Sequence, residues 1–531
     1  MAALVLAIPS LAADSEVPIL PRPSHIEPAA GHFRLRSRTV ILADAPCQPV
    51  AQLLARQLAP ATGFTLKVLP DAPPRASSIV LSLDPALSRL GPEGYTLEVA
   101  PKRVTIRAAA PAGVFYGVQS FRQLLPPSIF SARAVKNQPW TAPCLRIEDR
   151  PRFSWRGALI DTARHFMPKS SVLKFIDTIA CLKLNVLQLH LTDDQGWRVE
   201  IARYPRLTEI GSIRKATVVG HERKNGTLDG IPHGGFYSKA DIAEMVAYAR
   251  ERFITVVPEI EMPGHCQAAL AAYPELGNTS AHLEVSPRWG VNKNVYNAEE
   301  KTILFLQDVL DEVLAMFPSK FIHVGGDEVP KDQWKASPQA QTRIRELELK
   351  DENELQSYFI RRMDQFLTAR GRRLVGWDEI LEGGLAPGAT VMSWRGTQGG
   401  IAAARAGHDV VMSPTQYTYF DYYQSKSPSE PLAIGSFLPL DKVYQFEPVP
   451  PEFRPEEAQH ILGAQGQLWT EYIPTPRHLE YMAFPRLAAL AEVVWTDAAR
   501  KDFAAFLPRL RLQETRWKLQ GVNFRPLEES H

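Results

Sequence analysis

The chain lacks long hydrophobic runs, is poor in cysteine and carries no excess of either charge. No segment reaches the ~20 consecutive apolar residues that a bilayer-crossing helix needs, so no membrane span is expected. Its 60 basic and 58 acidic residues leave a net charge of +2, which gives no field to recruit nucleic acid or an anionic membrane. The expected partner is therefore neutral or small. Cys47, Cys144, Cys181 and Cys266 are too few and too scattered for a disulfide framework, and none forms a CxxC pair suited to zinc or redox work. They read as buried thiols, with one bridge left open. What is present is ordinary globular composition, 45% hydrophobic and 22% charged, which excludes a disordered or collagen-like chain. A length of 531 residues, at about 150 per domain, gives two to four domains.

Residues 1–16 contain MAALVLAIPSLAAD, an apolar stretch ending in small residues. It reads as a signal peptide or an N-terminal arm, and export to the periplasm or beyond is the expectation, with a cytoplasmic location left open. Residues 17–150 alternate short β-like runs (TVILAD, FTLKVL, SIVLSL, GYTLEVA, RVTIRAA) with two helical segments, QPVAQLLARQLAPATG and AGVFYGVQSFRQLLP. This is a small α+β domain. The proline-rich stretch VKNQPWTAPCLRIEDRPRFSWRG sets its boundary near residue 150.

Residues 151–500 change rhythm. Eight apolar runs (RGALIDTAR, NVLQLHLTDD, FITVVPEIEMPGH, FIHVGGDEV, RRLVGWDEI, TVMSWRG, DVVMSPTQYTYFD, ILGAQGQLWTE) alternate with amphipathic stretches, one opened by a Ser-x-x-Asp cap at Ser238 and Asp241. Eight β-then-α units predict a (β/α)8 TIM barrel, with insertions near 197–237 and 265–296. Residues 501–531 are expected to form a helical segment packed on the barrel.

In such a barrel the active site lies where the strands end. The eight runs end in Arg164 and His165, Asp193 and Asp194, Glu261 and His265, Asp327 and Glu328, Trp377, Trp394, Tyr419 and Asp421, and Trp469 and Glu471. One acid at a strand end is usually a helix cap or a salt bridge. Eight functional or aromatic groups at one mouth are hard to explain that way. The sharpest element is HVGGDEV, residues 323–329, where two glycines admit a close approach and two adjacent carboxylates follow. Neighbours on a strand face opposite ways, so both carboxylates reach one substrate only if the strand has already curled into its loop.

RGALIDTARHFMP, LNVLQLHLTDDQGWR, PEIEMPGH, HVGGDEV, GWDEI, SPTQYTYFDYY and QLWTEY, in this order, resemble the family 20 glycoside hydrolases, the β-N-acetylhexosaminidases. The likeness covers residues 150–500, and AGVFYGVQSFRQLL extends it to the N-terminal domain. It departs at Glu261, where many members have Asp, and at Cys266, where Ser is common. The resemblance implies retaining, substrate-assisted cleavage of terminal N-acetylhexosamine from oligosaccharides or glycoconjugates, in which the 2-acetamido oxygen attacks the anomeric carbon and forms an oxazolinium. Glu328 would be the general acid and then the base, with its pKa raised by burial beside Asp327. Asp327 would orient the acetamido N–H, and Tyr419 would hold its oxygen. Trp377, Trp394 and Trp469 would box the N-acetyl methyl and the sugar face. Arg164, Asp421 and Glu471 would bind sugar hydroxyls, and Asp193 with His265 would support the acid.

No cofactor or metal is implied. A rival reading, a metal-dependent barrel hydrolase on His190, Asp193, His265 and Asp327, has no HxH pair and leaves the tryptophans unexplained. A catalytically dead sugar-binding barrel would need no acid. Leaving group, gluco or galacto preference and oligomeric state stay open.

Overall fold

The computed structural model describes residues 17–70, 77–224, 226–279 and 281–527. The apolar N-terminal segment lies outside them. The chain divides into two units: one closes at Asp149 and takes in Asp502–Gly521, and the other runs Arg150–Lys501 and resumes at Val522.

The first unit is a seven-stranded mixed sheet of β1 (His25–Arg34), β2 (Val40–Ala43), β3 (Lys67–Pro70), β4 (Ser78–Leu83), β5 (Tyr95–Ala100), β6 (Arg103–Ala108) and β7 (Thr141–Asp149). Its order is β1-β7-β5-β6-β4-β2-β3. β5 and β6 alternate inward residues such as Leu97 and Ile106 with outward ones such as Glu98 and Arg107, the period-two pattern of a sheet with one covered face. The helix Pro111–Leu124 lies close enough that a Cβ on Gly117 would stand 2.5 Å from Ile106 Cγ2. β1 and β7 were not expected, since both carry proline within stretches read as linker. They pair antiparallel, with an irregularity between Pro28 and His32 that accommodates the proline-bearing segment.

The C-terminal helix Phe503–Gln520, expected on the barrel, groups with this unit. Two buried arginines explain why: Arg509 donates to the Ile19 carbonyl, and Arg516 to the carbonyls of Pro18 and Gln123. A buried guanidinium is tolerated only where such acceptors meet it.

The second unit contains all eight expected strands: β8 (Trp155–Asp161), β9 (Val186–His190), β10 (Thr255–Glu259), β11 (Phe321–His323), β12 (Arg373–Trp377), β13 (Thr390–Ser393), β14 (Val410–Met412) and β15 (Ile461–Leu468). They form a closed parallel barrel, sealed where β15 pairs with β8. Leu159, Val257, Val375, Met392 and Val411 fill the interior. Amphipathic helices follow, including Lys239–Arg250, whose Ser238–Asp241 capping box forms as the spacing predicts. The insertion after β9 folds into short two-stranded hairpins, Ile213–Arg214 with His233–Gly234 and Val218–Val219 with Thr227–Leu228. No helix among the described residues is long and apolar enough to cross a membrane, and the four cysteines are buried thiols.

Candidate active site

β11 stops at His323, so the paired carboxylates sit in the loop beyond it, where the alternation of faces no longer binds them. Gly325 and Gly326 turn the chain at φ +68° and +92°. A Cβ on Gly325 would fall 1.8 Å from a Glu261 carboxyl oxygen, so only glycine fits there. Glu328 and His265 are themselves left-handed, at φ +48° and +47°. For such residues that conformation costs of order 1–3 kcal/mol each, and two examples facing each other mark a place where function outweighs local comfort.

Behind the pair lies a chain of buried ions. Asp193 Oδ2 accepts from Arg164 Nη2 at 2.8 Å and from His190 Nε2 at 2.9 Å, while Asp193 Oδ1 lies 3.2 Å from His265 Nδ1. The other nitrogen of His265 reaches Glu328 Oε2 at 3.4 Å and Asp327 Oδ2 at 3.7 Å. Burial alone would push the His265 imidazole down, but Asp193 and the neighbouring carboxylates hold it well above its ordinary value, so it is an imidazolium.

The two catalytic candidates then diverge. Burial, helped by the negative charges of Glu328 and Glu259 and opposed by His265, pushes Asp327 up to about 6. Glu328 feels burial too, yet the His265 hydrogen bond and charge pull it below the ordinary glutamate value. This reverses the expectation that Glu328 is the raised member. Its side chain is 37% exposed against 14% for Asp327, so water and His265 both stabilise its charge.

A cavity of about 180 Å³ opens on these groups. Arg164, His265, Asp327, Glu328, Trp394, Tyr419, Asp421, Trp469 and Glu471 line it, which brings nine of the eleven predicted site residues together. Trp394 and Tyr419 stack nearly parallel, 6.1 Å apart at 21°. Asp421 and Glu471 oppose each other's ionisation; burial first, and then this repulsion, holds Asp421 well above its usual range. The two remaining residues stand behind the walls: Asp193 inside the ion chain, and Trp377 beneath Trp469 with its ring 5.7 Å away.

Sequence reasoning missed the support of these walls. Glu259 accepts from Trp377 Nε1 at 2.9 Å and Gln188 Nε2 at 2.7 Å, and faces His190 Nδ1 at 2.9 Å and His323 Nδ1 at 3.0 Å. Glu379 accepts from Trp394 Nε1 at 2.9 Å. Thr415, Tyr422 and Ile434 complete the lining. The available signal was polar residues at inward strand positions, such as LQLH and PEIE, where a barrel interior would otherwise be apolar.

Three groups among the described residues have donors close enough to surround an ion: His190, Glu259 and Glu261; Asp193, Asp194 and His265; and His265, Asp327 and Glu328. The rival metal set does not fit this geometry. No group of close donor atoms among the described residues joins all four, Asp193 is already matched by the Arg164 guanidinium, and a metal would have to displace the protons through which His190 and His265 pair with Asp193.

Residues 153–498 match the model for the glycosyl hydrolase family 20 catalytic domain, and residues 16–150 match that for glycosyl hydrolase family 20, domain 2. A beta-hexosaminidase of Porphyromonas gingivalis is 44% identical over 520 residues, which is 97% of this chain and 65% of that protein. The chain therefore spans about two thirds of that relative. The GH20 beta-N-acetylhexosaminidase of Streptomyces coelicolor A3(2) superposes with a TM-score of 0.82 at 33% identity, covering 96% of this chain and 98% of the other. A mutant Streptomyces plicatus beta-hexosaminidase in complex with the product GlcNAc superposes equally well, with a TM-score of 0.82 at 33% identity over 96% and 97% of the two chains. The motifs, the barrel and these likenesses agree: the chain belongs to glycosyl hydrolase family 20.

Proposed function

We propose that this protein is an exo-acting β-N-acetylhexosaminidase that releases terminal N-acetylglucosamine, or its galacto epimer, by retaining, substrate-assisted catalysis. The observation that carries the reading is the Asp327–Glu328 pair at the mouth of a one-sugar cavity, backed by the His265–Asp193 ion pair. A volume of about 180 Å³ is below the ~300–1,000 Å³ of drug-sized pockets and suits a single ring rather than a bound chain.

Glu328 protonates the leaving oxygen and then activates water. Its exposed position is where a leaving group departs, and the sugar that covers it removes the water now stabilising its charge. Asp327 takes the acetamido N–H and offsets the positive charge that develops on the oxazolinium ring. Tyr419 donates to the acetamido oxygen, so that the attacking atom is held in line. Trp394 and Trp469 supply apolar wall for the acetyl group and sugar face, with Trp377 as backing. Arg164, Asp421 and Glu471 bind the hydroxyls of the non-reducing ring. The similarity to a structure holding GlcNAc supports the same sugar here.

The natural substrates are oligosaccharides or glycoconjugates ending in N-acetylhexosamine, met outside the cytoplasm if the N-terminal apolar segment directs export. N-terminal sequencing of the protein recovered from producing cells tests that location. Paired aryl glycosides with and without the 2-acetamido group test the activity: hydrolysis of the acetamido sugars alone, with retention followed by NMR, is expected. Equal turnover of plain glucosides, or inversion, would overturn the reading.

A further inference from the structure

The wall residue Trp394 is held at two points by a single turn of chain after β12. Its backbone N–H donates to Asp378 Oδ2 at 3.1 Å, and its indole Nε1–H donates to Glu379 Oε2 at 2.9 Å. Asp378 is fully occupied, because it also accepts from the Arg395 backbone at 3.2 Å and from Arg395 Nε at 2.6 Å. Glu379 is different. It is 8% exposed, its nearest cationic atom is Arg395 Nε at 3.7 Å, and it lies behind the cavity wall rather than in it.

We propose that Glu379 is a positioning residue that aims the Trp394 indole, so that the ring stands parallel to Tyr419 and closes the sugar pocket. An indole can turn about two side-chain torsions, and packing on one face does not choose between its flipped orientations. A single buried acceptor for its N–H does, since the other orientations leave both the donor and the carboxyl without a partner. Trp394 itself is only partly buried, so this bond, rather than close packing, sets its angle. Burial, and then the negative charge of Asp327, pushes Glu379 up to about 8. A carboxyl oxygen accepts the indole N–H in either protonation state, and the side-chain carbonyl of glutamine keeps that acceptor.

This inference rests on the reading of Trp394 as a wall of the sugar site, and the test separates the two. KM and kcat for an aryl N-acetylglucosaminide are measured for Glu379→Gln, Glu379→Leu, Trp394→Phe and the Leu/Phe double variant, with circular dichroism confirming the fold. The loss of one buried hydrogen bond predicts a KM rise of about tenfold for Glu379→Leu, with kcat changed much less. Glu379→Gln should stay within about twofold of wild type, and Glu379→Leu should add nothing to Trp394→Phe, whose ring has no N–H to aim. A wild-type KM in Glu379→Leu, or a Gln variant as impaired as Leu, overturns the proposal. If Glu379→Leu does not fold, Glu379→Gln and Trp394→Phe still decide it, because an impaired Gln variant alone is contradictory. A wild-type KM in Trp394→Phe would instead sink the reading of the wall.

Discussion

The barrel interior and its mouth use the same kinds of residue to opposite ends. Below the mouth, Glu259 is met by an indole, an amide and two imidazoles, and His190 and His323 hold it well below the usual carboxylate range against the effect of burial. In return it raises His190, which burial alone would lower, to about 10. Both oxygens of Glu259 are answered from within the protein, although His323 Nε2 beside it is buried without a hydrogen-bond partner among the described residues. At the mouth, one oxygen each of Asp327 and Asp421 is buried with no hydrogen-bond partner among the described residues. Unpaired buried carboxylate oxygens are costly, so a stable fold keeps them only where something else completes them. The difference is between a carboxylate with both oxygens answered inside the barrel and carboxylates at the cavity that each keep an unanswered oxygen. Glu261 sits between the two regions. His190 Nδ1 lies 3.7 Å from one of its oxygens, and burial, then the negative charges of Asp327 and Glu259, hold it well above the ordinary glutamate value.

This contrast can be broken experimentally. The largest effect is expected at the mouth, where Glu328→Gln should lower kcat/KM for poor leaving groups by about 10²–10⁴-fold and affect nitrophenyl glycosides far less. Equal losses on both would remove its role as acid. Asp327→Asn should cost about 10²–10³-fold on every substrate, since it removes charge aimed at the developing cation. In the interior the sign of the evidence changes. Glu259→Ala breaks the buried pair with His190 Nδ1 and strips the Trp377 indole, the Gln188 amide and His323 Nδ1 of their shared acceptor, and should destabilise the fold by about 3–5 kcal/mol, seen as a fall in melting temperature. Asp421→Asn should leave that temperature nearly unchanged while raising KM. If the two variants behave alike in stability, the division between interior and mouth fails.

The smallest effect is on pH dependence. Asp327 titrates near 3.8 when unfolded and about 6 when folded, so the folded state binds its proton more tightly. Its contribution to stability is present below pH 4 and is lost as pH rises through 6, while the charge needed for catalysis appears over the same range. Melting temperature should therefore fall slightly between pH 4 and 6 as kcat/KM rises. Asp327→Asn should flatten both. A stability profile unchanged by that substitution would contradict the assignment.

All eight barrel strands were legible because each is a short apolar run bounded by polar chain, and a closed parallel barrel leaves such runs little choice of place. The mouth residues were legible because strand ends converge there. β1 and β7 were not, since Pro28 and Pro143 make their sequences read as linker, and only pairing with distant strands makes them strands. The helix Phe503–Gln520 is expected as a helical segment, but nothing local tells which unit accepts its buried arginines. The lowering of Glu328 depends on a histidine 63 residues before it, and sequence adjacency to Asp327 says nothing of that histidine's 3.4 Å approach. Glu379 was hidden by its neighbour in GWDEI, because the tryptophan it serves lies on the next strand's end.

The central claim is that the substrate's own acetamido group is the nucleophile, with Asp327 holding it. Calorimetric binding of a thiazoline mimic of the cyclic intermediate to wild type and Asp327→Asn tests this most directly. The account predicts affinity far above that for N-acetylglucosamine, lost in the variant in step with kcat/KM. A thiazoline that binds no better than the product sugar, or equally well to both proteins, would contradict it.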